Sequence, residues 1–137
     1  MKKILIFVLG CIVLFTSCKK IKEEIQEDLV IDAMTNGQWK VTNYTKGSIN
    51  HTPDFDVYRF QFKENNSVDA INNGSVEKTG SWRGDAAAKT IFSEFTNANP
   101  TLTLLNGTWQ ITRNSWTYVE AKQTINGTEH NVRLDKQ

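Results

Sequence analysis

Cysteine, histidine and proline are scarce in this sequence of 137 residues, which contains two of each. Cys11 and Cys18 both lie near the N-terminus, so the rest of the chain has no thiol for a disulfide, a zinc site or a nucleophile. The sequence also lacks a Gly-x-Ser-x-Gly elbow, a phosphate-binding loop and a metalloprotease motif. These absences predict a protein that is not an enzyme and that has no catalytic residues, cofactor or metal.

His51 is the histidine with acidic neighbours. Together with Asp54 and Asp56 it could form a metal site or a proton relay, but no third histidine, cysteine or spaced repeat supports one. An exposed loop histidine beside turn-forming aspartates is the preferred interpretation. Glu64 and Asp69 flank a predicted turn, and we interpret them as solubilising charges rather than as a glycosidase pair.

Neither sign of charge dominates the composition. The chain has 16 Lys and Arg residues against 15 Asp and Glu residues. If residues 1–17 are removed, Lys2 and Lys3 are lost and the net charge becomes about −1. No basic patch stands out, so nucleic acid is excluded as an expected partner.

The N-terminus has the composition of a secretion signal. Two lysines are followed by the apolar run Ile4 to Phe15, which has the length of a signal h-region and is shorter than the roughly 20 residues of a membrane-spanning helix. The small residues Thr16 and Ser17 then precede Cys18. The sequence therefore predicts export.

This order of residues resembles the bacterial lipobox. The resemblance implies that the Cys18 thiol receives a diacylglyceryl group and that signal peptidase II cleaves just before it. Phe15 stands where a leucine is usual. Residues 8–11 also resemble a lipobox, but cleavage there would leave only a stub of the h-region and a mature end that still carries Ile12 to Phe15. An ordinary secretory signal that happens to contain a cysteine is the remaining alternative.

Lipidation at Cys18 predicts an envelope protein held at the outer membrane, on its periplasmic or its cell-surface face. The residues that follow the cysteine are Lys19 and Lys20, so the aspartate that retains some lipoproteins at the inner membrane is absent from these positions. A mature lipoprotein end carries more than one acyl chain, which anchors stably where one chain does not. The expected partner is therefore the membrane. The predicted division is a removed signal peptide (1–17), a charged tether with a short helix (18–33) and one domain (34–137).

The periodicity of the chain changes after the tether. Val30 to Met34 is predicted to form a helical turn that ends at Asn36-Gly37. From Trp39 onward, apolar residues alternate with polar ones, as in half-buried strands. The alternating pairs and triplets are Trp39/Val41, Tyr58/Phe60/Phe62, Leu102/Leu104, Trp109/Ile111, Trp116/Tyr118 and Val132/Leu134.

Asn-Gly and related turn signals separate these runs. Asn126-Gly127 is the strongest of them, because a type I′ hairpin turn needs positive φ at both central residues. About eight strands joined by tight turns indicate an all-β, closed, antiparallel up-and-down barrel, which removes the exposed edges of a sheet.

Gly37-Gln38-Trp39, after a helical turn and at the start of the first strand, resembles the Gly-x-Trp signature of lipocalins. The tripeptide recurs at Gly80-Ser81-Trp82 and Gly107-Thr108-Trp109. Together with the lipobox, the chain is similar to lipocalin-like domain lipoproteins of Gram-negative bacteria. The resemblance implies that Gly37 and Trp39 close one end of the barrel. It also implies an arginine across from Trp39, with Arg133 the positional match and Arg113 the competitor.

The aromatic residues allow two functions. In the first, the barrel binds a small hydrophobic or amphipathic ligand without catalysis, and Phe62, Trp82 and Tyr118 line its cavity. In the second, the barrel is solidly packed and acts as an interaction or structural module at the outer membrane, with loops such as 46–54 and 83–88 meeting a partner. An apolar cavity of several hundred cubic ångströms would favour the first function, and a filled interior would favour the second.

Overall fold

A computed structural model describes residues 29–137 of the chain. The predicted signal peptide, Cys18 and most of the tether lie outside the described residues. The described part of helix α1 covers residues 29–35. The elements that follow are β1 (Trp39–Lys46), β2 (Ile49–Asn50), a 3-10 helix (Thr52–Phe55), β3 (Tyr58–Phe62), β4 (Ser67–Asn72), β5 (Ser75–Asp85), β6 (Thr90–Glu94), α2 (Pro100–Thr103), β7 (Gly107–Asn114), β8 (Tyr118–Ile125) and β9 (Thr128–Lys136).

The strands form a closed antiparallel barrel. The order along the sheet is β2-β1-β3-β4-β5-β6-β7-β8-β9, and β1 also pairs with β9, so eight strands close on themselves while the two-residue β2 extends one edge of β1. Each strand after β3 pairs with the next one along the chain, as in a meander. The predicted all-β barrel of about eight strands is confirmed. Between residues 29 and 137, no helix is both long and apolar enough to cross a membrane.

Asparagine-glycine turns set the register of two hairpins. Asn126 and Gly127, between β8 and β9, have φ values of 49° and 79°. Asn73 and Gly74, between β4 and β5, have φ values of 48° and 86°. Both turns therefore have the two positive φ angles that a type I′ turn requires, which confirms the prediction made for Asn126-Gly127.

The barrel has two ends, which we call lower and upper. The lower end carries α1, the β3–β4 turn and the β5–β6 and β7–β8 hairpins. The upper end carries the 3-10 helix, α2 and the β1–β2, β4–β5 and β8–β9 hairpins. Phe55 of the 3-10 helix and Leu102 of α2 are buried, so both segments cover the upper end as α1 covers the lower one.

Two predicted strand segments are wrong. Leu102 and Leu104 lie in and just after helix α2, because Asn99 caps that helix by accepting a hydrogen bond from the Leu102 amide and Pro100 occupies its first turn. Trp116 lies in the turn between β7 and β8, and β8 begins only at Tyr118. The Trp116/Tyr118 alternation therefore crosses a turn and does not mark one face of a strand.

Candidate functional site

The interior of the barrel is the candidate site that the sequence predicts, and side chains fill it almost completely. An apolar cavity lies among the inward-facing side chains of the barrel. Measured as the space open to the centre of a water molecule, its volume is about 40 Å³, against roughly 10–15 Å³ for one water by the same measure. Small-molecule pockets enclose about 300–1,000 Å³. The cavity is therefore too small for a fatty acid or a similar ligand.

The lining of this cavity is apolar on all sides. Ser93 is its one polar residue, and its hydroxyl donates to the Leu105 carbonyl, so no free polar group points into the space. The lining comes from six strands and from the segments that follow β6 and α2: Phe60, Phe62, Val68, Ile91, Ser93, Phe95, Leu105, Trp109, Val119, Ala121, Val132 and Leu134.

Of the three predicted cavity residues, Phe62 alone lines the cavity. Trp82 is buried but lies at the lower end, where its ring packs edge-on against Phe62 with 5.2 Å between centroids. Tyr118 points outward, because Val119 and Ala121 are the inward residues of β8. The assignments of Trp82 and Tyr118 to the cavity are thus wrong.

The three Gly-x-Trp tripeptides share one arrangement. Trp39, Trp82 and Trp109 are all buried, and each indole Nε1 donates to a backbone carbonyl at 2.9 Å. The acceptors are Met34 in α1, Lys63 in the β3–β4 turn and Leu105 after α2, respectively. Each tryptophan therefore joins a connecting segment to the barrel by one hydrogen bond, and its ring fills part of the interior.

Trp39 is buried at the lower end of the barrel beside α1, and the cation next to its ring is not the expected arginine. Gly37 has a φ of 86° between α1 and β1, a conformation that glycine adopts readily. The Lys136 Nζ lies 5.1 Å from the centre of the Trp39 ring. Arg133 does not occupy this place, because inward and outward residues alternate along β9 and Val132 and Leu134 take the inward positions.

Arg133 lies on the outer wall of the barrel, where it joins two strands. Its guanidinium bonds to Asp135 at 2.8 Å and to Glu120 of β8 at 2.9 Å. It also lies over the ring of Tyr118, 4.4 Å from the centroid. Hydrogen bonding to Arg133, assisted by the Thr42 hydroxyl, lowers the pKa of Asp135. Arg113, the competing candidate, is on the same outer wall, 3.8 Å from Glu120.

Tyr44 and His130 form a buried polar contact under the cover of the upper end. The Tyr44 hydroxyl donates to the Leu104 carbonyl at 2.7 Å and lies 2.9 Å from Nδ1 of His130. Burial raises the pKa of Tyr44. Burial also lowers the pKa of His130, and the charges of Lys46 and His51 lower it further. This contact fastens the segment after α2 to β1 and β9.

The remaining candidates, His51 and the acidic residues, make side-chain pairs that are typical of a structural role. His51 Nδ1 lies 2.8 Å from Asp54, and within residues 29–137 no three His, Cys, Asp or Glu side chains are grouped as a metal site would need. Asp69 is buried rather than solubilising. It pairs with Lys63 at 2.6 Å and accepts a hydrogen bond from Thr79, and the bond to Lys63 is the main cause of its lowered pKa.

The cavity predicts opposite effects for two alanine-to-valine substitutions. Ala121 lines the cavity, so the added methyl groups of Ala121→Val enter empty space and should stabilise the fold by about 1 kcal/mol. Ala70 is fully buried and does not line the cavity, so Ala70→Val should cost about 1–3 kcal/mol through overpacking. Urea unfolding of both variants measures the difference. Equal destabilisation by both would contradict the position of the cavity.

Comparison with known proteins supports the fold. No protein-family profile and no curated protein matches the sequence. The structure is similar to the crystal structure of a DUF4847 family protein from Bacteroides vulgatus, with a TM-score of 0.54 and 16% sequence identity. The similarity covers 79% of this chain and 99% of that one. At this identity it establishes a shared small β-barrel fold.

Proposed function

We propose that this protein is a lipid-anchored lipoprotein of the bacterial outer membrane whose packed barrel binds a partner protein and does not carry a small ligand. The observation that supports this choice is the filled interior, with a cavity of about 40 Å³. Both ends of the barrel are also covered, by α1 below and by the 3-10 helix and α2 above. A carrier needs room and an entrance, and a docking module needs neither.

The upper end offers the surface for such a partner. Large apolar side chains are exposed in four of its segments, and we call these residues the upper rim: Ile49, Val57, Val76 and Ile125. Two of them are more than half exposed, with fractions of 58% for Ile49 and 56% for Val76. The chain leads to Cys18 from the opposite end, where α1 lies. An anchored barrel would therefore be able to present this rim away from its membrane.

Photo-crosslinking in the native bacterium tests this role. A photoreactive residue at Ile125 should give one discrete adduct with an envelope protein, and the second substitution Ile49→Ser should weaken that adduct. The same residue at Thr112, an exposed position on the lower β7–β8 hairpin, is the matched control and should not give it. Saturable micromolar binding of a fatty acid by the purified protein, with no adduct from the rim, would instead favour a carrier.

The lipid anchor makes a separate prediction. Labelled palmitate should be incorporated by the wild-type protein and by Cys11→Ala, and Cys18→Ala should abolish the label because the acceptor thiol is gone. Mass spectrometry of the mature protein should locate its N-terminus at residue 18. Label that survives Cys18→Ala and disappears in Cys11→Ala would move the anchor to the upstream cysteine.

A further inference from the structure

Trp116 differs from the other tryptophans of the chain. Trp39, Trp82 and Trp109 are almost completely buried, whereas Trp116 is 56% exposed at the tip of the β7–β8 hairpin. An indole ring that is exposed in this way is available for a contact outside the domain. The position of this hairpin at the lower end of the barrel indicates what that contact is.

The tip is a projecting and well-defined structure. The pairing of β6 with β7 ends at Thr90 and Gln110, and β7 continues to Asn114 without β6 beside it. At the turn, the Ser115 amide donates to the Tyr118 carbonyl at 2.9 Å, and the Thr117 amide donates to the Ser115 hydroxyl at 3.1 Å. The ring of Trp116 is therefore held outward by a turn that is already formed.

This hairpin lies at the end of the barrel where the chain arrives from Cys18. The Lys136 amide donates to the Thr117 carbonyl, Lys136 pairs with Trp39, and Trp39 donates to Met34 of α1. Leu29, at the start of the described part of α1, is exposed at this same end. From Leu29 back to Cys18 the chain spans 11 residues, which reach at most about 40 Å.

We infer that the tip of the β7–β8 hairpin inserts Trp116 into the headgroup region of the membrane that holds the lipid anchor. This inference rests on the proposed function for its anchor. An indole ring combines an apolar body with a polar N–H, which suits it to the membrane–water interface. Arg113, whose side chain is 68% exposed, stands beside the tip and supplies a cation for lipid phosphates.

The anchor and Trp116 together would fix the orientation of the barrel. The anchor alone leaves the domain free to rotate on its tether, and a second contact at the lower end removes that freedom. The upper rim then faces away from the bilayer, where a partner protein can reach it. Trp116 would thus be a membrane-contact residue that serves the proposed docking role.

Fluorescence of the full lipidated protein in vesicles tests the insertion. The vesicles contain phosphatidylcholine and phosphatidylglycerol, with or without bromine on the acyl chains near the headgroups. Brominated lipid should quench up to about a quarter of the emission, the share of one tryptophan in four. Trp116→Phe should abolish the quenching, because the three remaining indoles are buried in the barrel.

A double variant serves as the control for orientation. Trp116→Phe combined with Ile49→Trp moves the exposed indole to the upper rim, where brominated lipid should leave it unquenched and aqueous acrylamide should quench it. If the protein floats with the vesicles but brominated lipid does not quench Trp116, the inference is overturned while the anchor stands. Equal lipid quenching at both positions would also overturn it. Failure to float with vesicles would remove the anchor and, with it, this inference.

Discussion

Trp39→Ala should lower the free energy of unfolding by about 3–5 kcal/mol, the usual range for truncating a fully buried tryptophan. The ring of Trp39 is completely buried at the lower end, and its Nε1 donates to the Met34 carbonyl at 2.9 Å. Truncation opens a large void and leaves α1 without its bond to the barrel. Small domains have about 5–15 kcal/mol of net stability in total, so thermal and urea unfolding should show a drastic loss.

Two further variants separate the sources of this effect. Trp39→Phe keeps most of the ring and removes the bond to Met34, so it should cost about 1 kcal/mol for the bond and a further amount for the smaller ring. Trp116→Ala is the matched control, because an exposed side chain should change stability by no more than about 0.5 kcal/mol. An unchanged melting temperature for Trp39→Ala would mean that the Gly37-x-Trp39 match is accidental.

The sequence distinguishes the buried tryptophans from the exposed one. Trp39, Trp82 and Trp109 each have a glycine two residues before them, and each is buried. Asn114 takes that place before Trp116, which is exposed. The glycine positions and the alternation of period two therefore predicted the barrel and most of its core, because both patterns are local.

Other features depend on signals that compete with this alternation. Leu102 and Leu104 have the spacing of a strand, but Asn99 and Pro100 are a helix-capping residue and a first-turn proline, and these determine the local structure. Sequence position places Tyr118 on the presumed inward face of its strand and Arg133 across from Trp39. Cross-strand register decides their direction, because Val119 pairs with Leu134 and both point inward.

The volume of the cavity could not be predicted from the sequence, because side chains from six strands and from the segments after β6 and α2 together determine it. The sequence gives the size of each aromatic side chain, but it does not give the way in which the rings pack against one another. Phe60, Phe95 and Trp109 surround the centre of the barrel, and a different stagger of the strands would pack the same rings less tightly. The choice between a carrier and a docking module rests on this packing.

Gly80→Ala should be the second large loss of stability, for a steric reason. A Cβ atom on Gly80 would lie 2.4 Å from the carbonyl oxygen of Glu94 and 2.8 Å from the ring of Phe95. The oxygen belongs to the neighbouring strand β6 and the Phe95 ring is buried, so neither can move without separating β5 from β6 or displacing the core. Overpacking of this kind costs about 1–3 kcal/mol or more.

Gly84→Ala, in the same strand, is the matched control for this prediction. A Cβ atom there would meet only side chains, Val30 at 3.2 Å and Trp82 at 3.8 Å. Alanine also reduces the conformational entropy of the unfolded chain, which stabilises by about 0.4–1 kcal/mol where the backbone tolerates it. Urea unfolding should therefore show Gly84→Ala near or slightly above the wild type and Gly80→Ala well below it. If both variants unfold like the wild type, β5 and β6 do not approach each other as closely at Gly80 as the structure places them.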